Sequence, residues 1–256
     1  MGALQGVGVL VTRPEHQALP LCHLLEAQGA TTQRLPALEI EALGEPAQHR
    51  SRVPERIDLI IVVSANAVRF GAHLLAQGQT ALAAIGPATA RALAQAGHDA
   101  TILPGEGSDS EALLAHPGLG QLAGRRVLLV KGHGGRDLLA RQLTARGAEV
   151  HAVDVYRRVR ALPPAGRLEE LQGRLRAGDL QVITATSLEI AENLLALAGP
   201  ALRAEFEKLQ WLVPGPRVAH GVRELGLRAP LVQAGSARDQ DLVAALLRWR
   251  SSTSGA

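Results

Sequence analysis

Tyr156 is the only tyrosine in 256 residues, and it sits in the run "EVHAVDVYRRVR" (149–160) with Arg157 and Arg158 directly after it. A phenol is protonated at neutral pH and can donate a proton to a leaving group. A lone tyrosine at the end of an apolar run can equally be a packing residue. The residues before it alternate apolar and polar, which is the pattern of a strand. The glycine-rich "KGHGGR" (131–136) lacks the GxxxxGK[ST] spacing and contains no GxGxxG, so a nucleotide site has weak support. No HExxH is present, so no metal site is expected. No GxSxG is present, so a hydrolase triad has no anchor.

The elements that would carry these residues are legible as an alternation. Short β-rich runs lie at 7–12 ("VGVLVT"), 59–64 ("LIIVVS"), 82–86 ("LAAIG"), 126–131 ("RVLLVK"), 180–186 ("LQVITAT") and 211–215 ("WLVPG"). Each is followed by an Ala/Leu-rich stretch of helical period, which predicts parallel sheets flanked by helices. Ligands of such sheets bind beyond the carboxyl ends of the strands. The residues expected there are Arg13, Ser64, Asn66, Gly86, Pro87, Lys131, Gly132, Arg136, Ser187 and Gly215. Ser, Asn and Gly at such positions act as helix caps, and where they face a shared cleft their neighbouring N–H groups become anion receptors. The sequence alone leaves both readings open.

The chain also repeats itself. Val9 to Gly29 and Val127 to Gly147 are each twenty positions, and Gly86 to Gly97 and Gly215 to Gly226 are each eleven. Ser108-x-x-Glu111 and Ser236-x-x-Asp239 each precede an apolar helical run, as capping signals do. An internal duplication is the economical reading. Taken alone it suggests two sequential domains meeting near residue 120. In the duplicated register Tyr156 corresponds to Leu38, so the fold accepts a plain hydrophobe there and the hydroxyl needs an explanation.

Composition narrows the class. The chain is 46% apolar but only 2% aromatic, so its cores must be aliphatic. The net charge of +3 conceals 25 arginines against two lysines, Lys131 and Lys208. Arginine suits bidentate recognition of carboxylates or phosphates. The basic residues are scattered and no aromatic platforms interleave with them, which argues against a nucleic-acid partner. A single cysteine, Cys22, excludes an intramolecular disulfide and reads as a small core residue. No signal peptide is read at the start, and no apolar run approaches membrane-spanning length, so a cytoplasmic location is expected. The terminal "SSTSGA" reads as a frayed tail.

With these residues in view, the chain resembles the uroporphyrinogen-III synthase family from about Val7 to Trp249. The resemblance rests on "VLVTRP" (9–14), "VVSANAV" (62–68), "IGPATARAL" (85–93), "GRRVLLVKG" (124–132), "VYRR" (155–158) and "ATSLEIAENL" (185–194), in this order and spacing. It implies two doubly wound α/β domains joined by a two-stranded β linker, with a cleft between them. One domain is discontinuous, comprising 1–37 and 160–256. The other spans 44–152, and the linker strands are 38–43 and 153–159. That partition replaces the sequential one.

The resemblance further implies cyclisation of hydroxymethylbilane with inversion of its last ring and loss of water, using no cofactor and no metal. Tyr156 matches the family tyrosine proposed to help hydroxide leave. Arg13, Lys131, Arg136 and Arg157, with the caps Ser64 and Ser187 and the amides beside Gly86 and Gly215, become candidates to meet the eight substrate carboxylates. The expected partner is a small linear tetrapyrrole polycarboxylate, with no nucleic acid or membrane and the chain acting as a monomer. Arg217 and Val218 in "GPRVAHG", and "TSLE" in place of a "TSP"-like turn, depart from the commoner family pattern. Two rival readings are a non-enzymatic bilobal protein that binds an anionic small molecule, and a transferase with a nucleotide-linked donor.

Overall fold

A computed structural model describes residues 2–75, 80–105, 107, 109–135 and 137–253. Two five-stranded sheets organise the chain. The first has the order β10-β9-β8-β1-β2, with β1 Gly8–Val11, β2 Thr31–Arg34, β8 Val182–Thr184, β9 Gln210–Val213 and β10 Leu231–Gln233. All its pairings are parallel. The second has the order β3-β7-β6-β4-β5, with β3 Leu38–Ala42, β4 Leu59–Val62, β5 Ala81–Ala84, β6 Arg126–Gly132 and β7 Glu149–Arg160. Its β7-β6-β4-β5 run is parallel. The α/β class with two parallel-dominated sheets is therefore borne out.

The chain forms two compact units, Met1–Glu39 with Val159–Ala256, and Ile40–Arg158. All six strands expected from apolar runs are present, with ends shifted by at most two residues. Two short strands lacked that signal. The sequence of β2 is TTQR, with only Gln33 buried, and β10 is three residues at a sheet edge. Edge strands need no continuous apolar run because one flank and part of a face meet water.

In the second unit the pleat sorts the strands onto two cores. Ile60, Val62, Leu128 and Val130 pack with Ala67, Val68 and Leu93 on one face. Leu59, Ile61, Val127 and Leu129 pack with Leu113, Leu139 and Leu143 on the other. Burying each such aliphatic side chain contributes about 1.5–3 kcal/mol. In the first unit, Val9 and Val11 join Leu21 and Leu25 of α1 (Glu15–Ala27) and Leu242 and Leu246 of α10 (Asp239–Thr253). Cys22 lies in that core, and burial pushes its thiol above the ordinary range.

Ser108 lies outside the described residues; Asp109 caps α5 (Ser110–Leu114) by accepting from the Ala112 N–H at 2.8 Å. Ser236 accepts from the Arg238 N–H at 3.1 Å and donates to the Asp241 carboxylate.

Candidate active site

Three parallel strands of the second unit end at one edge of their sheet, and the residues that follow them line a single cavity of about 260 Å³. From β4 come Val63 and Ser64, from β5 Ile85, and from β6 Lys131, Gly132 and His133. β7 adds Tyr156 and Arg158.

Tyr156 reaches this place through an irregularity in the ladder. Lys131 pairs with Asp154 but Gly132 pairs with Tyr156, so β7 carries one extra residue at that step. A bulge of this kind re-aims the following side chain. Val153, Val155 and Tyr156 accordingly share one core cluster despite the odd-to-even step. The His133 N–H donates to the Tyr156 carbonyl at 2.7 Å and fixes the strand beyond the bulge.

The tyrosine ring lies against Gly132, where a Cβ would stand only 2.4 Å from Tyr156 Cζ. Gly132→Ala is expected to displace the ring and cost about 1–3 kcal/mol by overpacking. A chemical denaturation series with and without the substitution checks this. The ring is 6% exposed and stacks on Phe70, with centroids 6.1 Å apart.

Its hydroxyl lies 3.1 Å from Ser64 Oγ. Ser64 is the N-cap of α3 (Ala65–Gly71) and accepts from the Ala67 N–H at 3.0 Å. Because that lone pair is taken by the helix, the serine hydrogen is available to the phenol oxygen. Asn66 follows in the first turn of α3 and is half-buried.

Lys131 Nζ donates to Asp154 Oδ1 at 2.9 Å, and His133 Nδ1 lies 3.0 Å from Asp154 Oδ2. Asp154 and His133 were not singled out from sequence. Their pairing joins the end of β6 to β7, and no local motif announces such a cross-strand contact.

The two consecutive arginines diverge. Arg157 is paired with Glu41 at 2.9 Å and is not among the lining residues, whereas Arg158 is. Alternation along a strand puts residues 156 and 158 on one side and 157 on the other, and that signal was available in the sequence. Gly86 and Pro87 open α4 (Pro87–Gln95) just past Ile85, with Gly86 buried and Pro87 exposed. Arg136 lies outside the described residues.

The remaining candidates belong to the other unit. Ser187 caps α8 (Leu188–Phe206) by accepting from the Ile190 N–H at 3.2 Å. Gly215 precedes α9 (Pro216–Glu224) as Gly86 precedes α4. Arg13 is 7% exposed. Its guanidinium donates to the Asp239 carboxylate, to the Ala237 carbonyl and, at 3.3 Å, to Thr186 Oγ1. These contacts hold the end of β1 against the start of α10. Thr12, fully buried beside it, donates its N–H to Thr184 Oγ1 at 3.2 Å and its hydroxyl to the Thr184 carbonyl. Arg13 is thus held on three sides by its own chain.

Comparison with known proteins identifies the family. The family profile described as Uroporphyrinogen-III synthase HemD matches residues 20–244. A uroporphyrinogen-III synthase of Salmonella typhimurium is 34% identical over 230 residues, covering 86% of this chain and 92% of that protein. A putative uroporphyrinogen-III synthase of Methanothermobacter thermautotrophicus is 30% identical over 247 residues, covering 92% and 96%. Among solved structures, the uroporphyrinogen-III synthetase of Helicobacter pylori superposes with a TM-score of 0.60 at 14% identity, covering 95% of this chain and 99% of that one. A mutant uroporphyrinogen III synthase of Thermus thermophilus gives a TM-score of 0.58 at 22% identity, covering 98% and 100%. These two likenesses bear on the fold alone. The profile match across most of the sequence, and relatives at this identity and coverage, establish that the chain belongs to the uroporphyrinogen-III synthase family.

Proposed function

We propose that this chain converts hydroxymethylbilane to uroporphyrinogen III, closing the linear tetrapyrrole with inversion of its last ring and loss of water. Family membership supports the reaction. The observation that carries the mechanism is the Tyr156 phenol at a cavity lined also by Ser64, Lys131 and Arg158. Pyrrole nitrogen helps expel hydroxide from the hydroxymethyl group, and the phenol supplies the proton that turns it into water. Ser64, whose oxygen is oriented by α3, can then donate to the phenolate. Attack at the substituted carbon of the last ring gives a spiro intermediate, which fragments and recloses inverted. The substrate also cyclises unaided without inversion, so the main task of the protein is to hold one conformation.

A cavity of about 260 Å³ falls just below the range of about 300–1,000 Å³ that buries a drug-sized ligand. It suits the reacting end of the molecule and leaves the other rings outside. Lys131 and Arg158, which line the cavity, are proposed to receive carboxylates there, and Asn66, Arg136, Arg157 and the amides beside Gly86 are candidates for the carboxylates of the rings outside it. Ser187 and Gly215 remain candidates on the first unit. The proposal includes action in the cytoplasm by a monomer with no nucleic-acid or membrane partner. It is supported by a highly charged small substrate and by the absence of a membrane-length apolar helix among the described residues.

A thermal-shift series tests the ligand class. Porphyrinogen-like polycarboxylates at 100 times their Kd should stabilise the fold by about 2.7 kcal/mol, while nucleotides leave it unchanged. Stabilisation by nucleotides alone would favour the transferase reading.

A further inference from the structure

Loss of water from the substrate removes hydroxide at the start and one ring-carbon proton at the end, so an acid alone does not complete the cycle. After the last carbon–carbon bond forms, the attacking ring carbon still carries its hydrogen. That C–H bond must break, its electron pair returning to the pyrrole ring. We propose that His133 is the catalytic base that takes this proton on Nε2.

The geometry supplies what a base needs. His133 Nδ1 lies 3.0 Å from Asp154 Oδ2, and a carboxylate there selects the tautomer with hydrogen on Nδ1. The lone pair is then on Nε2. Asp154 is itself fixed, because its other oxygen accepts from Lys131 Nζ at 2.9 Å. An imidazole oriented by a carboxylate is the arrangement used by general bases on unrelated folds. His133 lines the same cavity as Tyr156, and its N–H is bonded to the Tyr156 carbonyl, so acid and base ride on one backbone contact. Gly134 and Gly135 take left-handed φ values of 74° and 88°, which lets the chain turn away directly after His133. Fold stability does not account for the pair. The His133 side chain is 67% exposed, and exposed ion pairs add little to stability.

The proton count closes. Tyr156 gives one proton to the departing hydroxide, forming water. His133 takes one from carbon, and return of that proton to the phenolate through solvent resets both groups. This inference rests on the cyclisation reading of the same site.

The test is steady-state turnover of enzymatically supplied hydroxymethylbilane by His133→Ala, with isomer analysis and with imidazole added back. Because the side chain is exposed, the variant should fold, and circular dichroism checks that it does. The expected result is a fall in kcat of about a hundredfold, the lower end of general-base effects. KM should change little, the product should remain the type III isomer, and added imidazole should restore rate. Asp154→Asn should lower kcat in the same direction and respond less to imidazole. Wild-type turnover in folded His133→Ala, or a loss that imidazole does not restore, would overturn the assignment while leaving the activity intact. Type I product alone from the wild-type protein would overturn the activity itself and the assignment with it.

Discussion

Tyr156→Phe is expected to fold normally and to lose about 10²–10⁴-fold in kcat, the range set by removing a positioned general acid. The substitution deletes one oxygen and leaves the ring stacked on Phe70 and seated against Gly132. The core on that face therefore stays filled. Ser64 loses its partner at 3.1 Å but keeps the Ala67 N–H, so α3 remains capped. Activity without the phenol should not reach zero, because orientation of the substrate is retained. Single-turnover rates for type III product, beside thermal denaturation of both proteins, separate the chemical role from a packing role. A variant with wild-type turnover would reduce Tyr156 to a core residue.

Arg13→Ala is expected to act on stability rather than on substrate affinity. Truncation leaves the Asp239 carboxylate and the Ala237 carbonyl without their donor, in a place where the arginine side chain is only 9% exposed. Breaking a buried pair from one side costs about 3–5 kcal/mol. Asp239 is 23% exposed on the same scale, which favours the lower end. At about 2–4 °C per kcal/mol, a loss of about 3 kcal/mol lowers Tm by roughly 6–12 °C. Arg13→Lys keeps the charge but not the fork that serves three acceptors, so it should recover only part of the loss. Calorimetry on the three proteins checks the order. A raised KM with unchanged Tm would instead return Arg13 to the substrate-binding set.

Strands with continuous apolar character, such as LIIV of β4 and the core of β6, were legible in the sequence because both faces of a parallel sheet are covered. The internal repeat was legible too, and it persists in the sheets. Reading from the strand that ends each repeat unit, β2-β1-β8-β9 in one sheet matches β7-β6-β4-β5 in the other. Each sheet thus takes two strands from one repeat and the rest from the other. Apolar patterning cannot reveal that exchange, since either partition buries the same faces. Resemblance to a family with a discontinuous domain pointed to it instead.

At the site, residue types at strand ends were readable and pairings were not. Ser64 and Tyr156 are 92 positions apart, and the contact depends on the extra residue that β7 carries between Asp154 and Tyr156, which no residue type there announces. Arg13 shows the opposite difficulty. A cation after a strand looks like a ligand contact, and only the fold reveals Asp239, 226 positions away, as its partner.

The central claim is tested most directly by supplying enzymatically generated hydroxymethylbilane with and without this protein, oxidising the products and separating the porphyrin isomers. Unaided closure gives the type I isomer. The predicted result is predominantly type III isomer in the presence of the folded protein. Type I alone, at the rate seen without protein, would contradict the assignment and favour a protein that binds such polycarboxylates without transforming them.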